Sequence, residues 1–263
     1  MTYLDRPQPP KGPPWAHNSL GASVHNALAG WWRLTRAERT VAAGGELLER
    51  GWLTDGYADD AQAALYRRRA RRMVQDYVAE LDPAAEPVGV ERTVATKTEL
   101  IAVSGRIDRL DDRPGEGGQE RQLVVVDYKT GRHPLNTDDV RSSLALALYA
   151  LAAERVLRRT CRRVELHHLP TSRVLSWEHT QESLDRQLGR AEDIAGECAA
   201  ADDRYRDEPD SGRGEDVFPP QPGGWCGWCD YRAHCAEGQR AAARRRSWDG
   251  LAADDTTVPG QVV

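Results

Sequence analysis

Apolar positions recur along the chain with two periods, and these divide it into helical and extended stretches. Leu20, Val24, Leu28 and Trp32 repeat every fourth residue, with Trp31 beside them, so a helix with one apolar side is predicted from Asn18–Ser19 onward. His25 lies on that helix, one position round from Val24, where the pattern alone reads it as a partly buried helix histidine. A long, arginine-studded helix is predicted over Tyr57–Leu81, with Leu65, Met73, Val74 and Tyr77 facing inward. Val88–Val94 and Leu100–Asp108 are rich in β-branched residues and separated by a short polar turn, the signature of a hairpin. The turn formers of 111–118 lead into Leu123–Val126, an apolar run suited to a central strand covered on both faces. These three strands are expected to form an antiparallel meander.

Thr137, with Asp138 and Asp139 behind it, is a plausible N-cap for a helix running to about Arg158 and burying Leu144, Leu148, Leu151 and Ala152. Arg163–Leu169 and Val174–Trp177 read as further strands, and Gln181 to Ala200 as an amphipathic helix. The fold class expected is α/β, a central mixed sheet of an antiparallel meander plus a parallel strand, flanked by helices. The domain scheme expected has five parts. Proline-rich residues 1–16 form an extended, poorly ordered N-terminal segment, and 17–201 the core. Polar residues 202–217 form a linker, 218–240 a cysteine-rich segment, and 241–263 a tail whose last ~15 residues read as disordered.

Composition narrows the class. With 263 residues, 40% hydrophobic and 29% charged, the chain is that of a globular protein rather than a disordered or fibrous one. No apolar run approaches the roughly 20 residues of a membrane helix, and Met1–Pro14 lacks a signal-peptide pattern, so a cytoplasmic location without a membrane partner is expected. A net charge of −5 does not advertise a nucleic-acid binder, although Arg67–Arg72 and Arg244–Arg246 supply local basic clusters, read first as solvated helix faces. Of 36 basic residues only Lys11, Lys97 and Lys129 are lysines. A lysine kept at the end of an apolar strand in so arginine-rich a chain points to a requirement for its compact, tunable charge.

That lysine belongs to the most informative segment, Gly105-Arg-Ile-Asp108 with, further on, Asp127-Tyr128-Lys129. Asp108 and Asp127 each close a predicted strand, so a tight meander brings both carboxylates to one sheet edge, where oxygen ligands suit Mg²⁺ or Mn²⁺. Lys129, two residues on, shares the face of Asp127; Tyr128 points away, but its backbone carbonyl can still reach the cation.

Gly105-Arg-Ile-Asp108 with Asp127-Tyr-Lys129-Thr-Gly131 resembles the PD-(D/E)XK nuclease superfamily, with its restriction-endonuclease-like core, and in particular the RecB-like exonuclease branch, from about Gly21 to Cys235. The resemblance implies metal-dependent hydrolysis of DNA phosphodiesters in recombination and repair, with DNA as substrate and a helicase or repair complex as a partner, since no helicase motif is present. It also implies a metal site of His25, Asp108, Asp127 and the Tyr128 carbonyl. Lys129 would orient or deprotonate the attacking water and stabilise the developing charge. The family pairs a glutamine with a tyrosine four residues later on the next helix; Tyr149 matches, and Ala145 stands where the glutamine would be. Two alternatives are an end-trimming nuclease of CRISPR adaptation and a catalytically weak DNA-binding iron–sulfur module that assists a helicase.

Five cysteines, an odd number, argue against a disulfide framework. Cys226, Cys229 and Cys235 fall within ten residues, and soft thiolates so close suit zinc or an iron–sulfur cluster. Phe218–Trp225 with these cysteines resembles the C-terminal end of RecB-like nucleases that carry a 4Fe-4S cluster. In that branch a fourth cysteine precedes the histidine helix, and none does here; Cys161 and Cys198 read as ordinary small apolar residues. Tyr3–Pro7 resembles the segment just beyond the family's N-terminal cysteine, so Met1 is expected to be a misassigned or truncated start. If Met1 is the true start, the site has three cysteines and a substitute ligand, zinc with His234, or no metal.

Overall fold

The computed structural model describes residues 7–115, 120–207 and 217–251. Its centre is a five-stranded sheet in the order β1 (Gly89–Lys97), β2 (Ala102–Arg113), β3 (Gln122–Lys129), β4 (Arg163–His168), β5 (Arg173–Glu178). The first three strands form the antiparallel meander, β4 joins β3 in parallel, and β5 returns antiparallel. The parallel pair needs a crossover, supplied by α4 (Thr137–Arg141) and α5 (Leu144–Leu157).

The uninterrupted apolar run of β3 reflects burial on both faces. Val124, Val126 and Tyr128 join one core with α1 (Ala16–Trp32), α2 (Val41–Arg50) and α3 (Asp60–Ala79). Leu123 and Val125 join the other, under α5 and α6 (Gln181–Asp207). The periodic pattern did not reveal α2, whose Gly44-Gly45 pair weakens the helical signal. Packing explains Gly44: a Cβ there would stand 3.2 Å from Val78 Cγ2 and 3.3 Å from Val74 Cγ1.

Four expectations need correction. The single helix over Thr137–Arg158 is two, because Ser142 turns its hydroxyl back to the Asp138 carbonyl (2.7 Å) and Ser143 caps a new helix at Leu146 N–H. The first of these is capped by Asn136 rather than Thr137. The expected linker from 202 is helical through Asp207, carrying an Arg206–Asp202 ion pair one turn apart at 2.6 Å; 208–216 lie outside the described residues. The N-terminal segment, expected to be poorly ordered, is tied down over its described residues. Gly12 N–H donates to the Asp230 carbonyl (2.8 Å) and Trp15 Nε1–H to its carboxylate (3.0 Å), so residues 7–15 are tied to the cysteine segment. Ala16 N–H donates to the Ser247 carbonyl, Ser247 Oγ–H to the Gly56 carbonyl, and Leu251 is buried. The last twelve positions, 252–263, lie outside the described residues.

Candidate active site

The sheet is irregular at one place, and the acidic residues gather there. Ile107 and Leu110 both pack into the α5-side core, although strict alternation puts positions three apart on opposite faces. Between them Arg109 turns to the other side, over Trp32 and Tyr128. Across the hairpin Glu91 falls opposite Asp108, between the pairs Val90↔Arg109 and Arg92↔Ile107, with φ of 49°. A left-handed conformation is costly for glutamate, and strain of this kind persists where the surroundings enforce it, commonly at functional sites. The β2–β3 ladder begins at Arg109↔Val126, so Asp108 and Asp127 occupy the next, unladdered position, where β3 continues alongside β4 as far as Lys129↔His168. Asp108 is thus a mid-strand residue at the point where strands separate, not a strand end as its sequence context suggested.

Tyr128 N–H donates to Asp108 Oδ2 at 2.8 Å, filling the gap between strands. Asp108 Oδ1 lies 3.2 Å from Nδ1 of His25, delivered by α1. Ligand atoms of His25, Glu91 and Asp108 all lie within 4.8 Å of one another, so the described residues bring an imidazole and two carboxylates to one point. That donor set suits a hard or borderline divalent cation with water completing the shell. Glu91 was missed by the motif reading; setting the hairpin in register would have placed it opposite Asp108. Asp127 adjoins this group with its Oδ2 2.6 Å from Lys129 Nζ. Beyond Lys129 the loop is fixed by His168, whose Nε2–H donates to the Gly131 carbonyl at 2.7 Å. The Tyr128 ring points into the core, edge-on to His25 and with its hydroxyl accepting from Arg109 at 3.3 Å.

Tyr149 reaches the same edge from α5 because residue 105 has no side chain: a Cβ on Gly105 would overlap the Tyr149 ring. Ala145 is exposed one turn earlier. Electrostatics bind these groups together. Burial alone would lower the His25 pKa, but Asp108, by hydrogen bond and charge, with Asp127 and Glu91, raises it. Burial first, then the Asp108 charge, raises Glu91; burial raises Asp127, with Lys129 opposing and Asp108 adding. Burial and the two aspartates also raise the Tyr149 hydroxyl. Concentrated negative charge of this kind is what a cation would relieve.

The cysteine segment folds as two short 3₁₀ turns, Gly224–Trp228 and Arg232–His234, and a last helix, α7 (Ala236–Ala241). Gly223 N–H donates to Cys226 Sγ at 3.4 Å and Gly238 N–H to Cys235 Sγ at 3.3 Å. His234 Nε2 is engaged by the Pro10 carbonyl at 3.1 Å. Among the described residues the three thiols do not close to within 4.8 Å as a group. Cys161 is buried, its thiol pushed up by burial, and Cys198 is exposed on α6.

The profile of the PD-(D/E)XK nuclease superfamily matches residues 1–236. No curated protein matches the sequence. Among solved structures, the crystal structure of a candidate exonuclease from Eubacterium rectale is similar at a TM-score of 0.33 and 9% identity, over 67% of this chain and 81% of that one.

Proposed function

The chain belongs to the PD-(D/E)XK nuclease superfamily, and on that premise we propose that it is a Mg²⁺- or Mn²⁺-dependent deoxyribonuclease of the RecB-like branch, an exonuclease of DNA recombination and repair. The observation that carries this reading is the convergence of His25, Glu91 and Asp108 beside the Asp127–Lys129 ion pair. His25, Asp108, Asp127 and the Tyr128 carbonyl, with Glu91 added, would hold the cation. When bound it supplies Lewis-acid polarisation of the phosphoryl group and a lowered pKa for water.

The protein's own groups do the rest. Asp108, fixed by Tyr128 N–H, holds its carboxylate at the strand gap. Lys129 orients the attacking water and meets the negative charge that develops on the phosphoryl oxygens, a contribution of the size that single charge-stabilising donors make, about 10²–10³ in rate. Tyr149, reaching the acidic edge from α5, assists at the scissile phosphate. The test is Lys129→Ala with end-labelled DNA and Mg²⁺ or Mn²⁺. The variant should fold, since Lys129 is 47% exposed in its side chain, and should cut about 10²–10³-fold more slowly; degradation at the parent rate would overturn the assignment.

Three cysteines within ten residues, Cys226, Cys229 and Cys235, are the ground for a metal centre there, a 4Fe-4S cluster on the family resemblance. Metal and sulfide analysis after anaerobic purification decides between iron–sulfur and zinc. A second reading, a weakly catalytic DNA-binding module working with a helicase, draws on Ala145, which offers no amide beside Tyr149; it predicts cluster and DNA binding without turnover.

A further inference from the structure

Beside the acidic edge lies a cavity of about 530 Å³ that includes His25, Tyr128 and Lys129 in its wall and extends between α1, α3 and the loop after β3. Its chemistry is divided. The lining is apolar at Leu20, Tyr66 and Met73 and cationic at Arg69, Lys129 and Arg132, and among the described residues that line it there is no carboxylate, in a chain with 41 acidic residues.

The arginine cluster of α3 is sorted accordingly. Arg67 and Arg71 turn to Glu49 on α2, at 3.2 and 3.7 Å. Arg69 turns the other way, with its guanidinium 5.0 Å from the Tyr66 ring centre, and forms no ion pair among the described residues. Among the described residues Arg132 reaches the Leu251 carbonyl, at 3.4 Å. A cation beside an aromatic ring, among apolar side chains and near further cations, can receive a nucleobase by stacking and its phosphate by charge.

We propose that this cavity holds one unpaired nucleotide of the DNA strand being cut, the base against Arg69, Tyr66 and Met73 and the flanking phosphate near Arg132 and Lys129. The proposal rests on the nuclease reading only for naming DNA. A base in a duplex is stacked and paired, and extruding it costs a few kcal/mol, so the cavity selects single-stranded or frayed ends.

The test is fluorescence anisotropy of the full chain, in EDTA, with a labelled oligothymidylate and with versions carrying a single abasic site stepped along it. In the parent protein an abasic site at one position should weaken binding by about 5- to 100-fold, the worth of one stacked base, and elsewhere change little. Arg69→Ala should bind the intact strand more weakly and no longer register the abasic site. Arg68→Ala, on the exposed side of the same helix, should keep the positional penalty, and Arg132→Ala should weaken all strands alike. A parent protein indifferent to abasic sites, or a penalty that survives in Arg69→Ala, overturns the proposal. Cleavage with Mn²⁺ is measured in parallel. A chain that binds with the penalty but never cuts refutes the nuclease reading and upholds the cavity; one that cuts without any penalty does the reverse.

Discussion

Replacing Glu91 by glutamine separates what the site costs the apoprotein from what it gains with a cation. Glu91 is the carboxylate in the strained backbone position, 15% exposed in its side chain and paired to Arg106 Nε at 2.8 Å. Without a cation its charge is unfavourable, since burial and Asp108 both raise its pKa. Glutamine removes that repulsion and also the ion pair, worth about 0–1 kcal/mol because Arg106 is 69% exposed. The two changes oppose, so unfolding in EDTA should shift by less than about 1 kcal/mol, with no loss of fold. With metal the outcome differs. Setting the weakening at about 30-fold, within the 10–100 range that even outer partners of metal sites show, Mn²⁺ at 100 times the parent Kd stabilises the parent by about 2.7 kcal/mol and the variant by about 0.9 kcal/mol. For a chain of this length those correspond to shifts in Tm of about 5–10 °C and about 2–4 °C. Differential scanning calorimetry with and without Mn²⁺ reads both numbers. Equal Mn²⁺ shifts in parent and variant would remove Glu91 from the ligand set.

The remaining predictions concern the scaffold of the site. Gly105→Ala should destabilise by about 1–3 kcal/mol and slow cleavage by displacing Tyr149, while adding Tyr149→Ala should restore stability but not cleavage; additive stability losses would refute the steric account. Acid unfolding should track the buried group on β4, where Arg113 Nη1 lies 3.0 Å from both oxygens of Glu165 and His167 Nε2 lies 2.9 Å away. Burial works against the Glu165 charge, but His167 and the Arg113 and Arg163 cations hold its pKa down at about 2, while burial lowers His167. Both folded pKa values lie below their unfolded ones, so stability is full above pH ~6.5 and falls on acidification; the Glu165 part, about 3 kcal/mol, is lost from pH ~4.5 toward ~2. Glu165→Gln should flatten urea-unfolding free energy against pH in that lower window, and an unchanged slope there would show that the group is not the source.

Much of this was legible in the sequence because period and chemistry agree along the meander. The apolar run Leu123–Val126 could only be a strand covered twice, and Asp127 and Lys129 share a face by the arithmetic of alternation. What could not be read was where alternation fails. Asp108 looked like a strand end because a carboxylate after β-branched residues usually is one, yet β2 runs on through Arg113, carrying Arg109 into the core against Tyr77 and Tyr128. Nothing local marks Glu91 as left-handed, since glutamate has no preference for that conformation. α2 was hidden for a related reason, its glycines being set by what packs on them rather than by helix propensity.

The same local failure explains how the site is held. A regular β1–β2–β3 ladder would point alternate side chains straight into the two cores, and carboxylates placed there would be desolvated without partners. The phase break at Asp108, the left-handed Glu91 and the end of the β2–β3 ladder fall at one level of the sheet, which turns both carboxylates toward the gap where α1 presents His25. Tyr128 ties the two sides together, its amide on Asp108 and its hydroxyl on buried Arg109, so the strand that carries Asp127 and Lys129 is anchored through the core rather than at the exposed edge. Acidic groups that repel one another in the apoprotein are therefore kept close by a neutral and cationic network behind them.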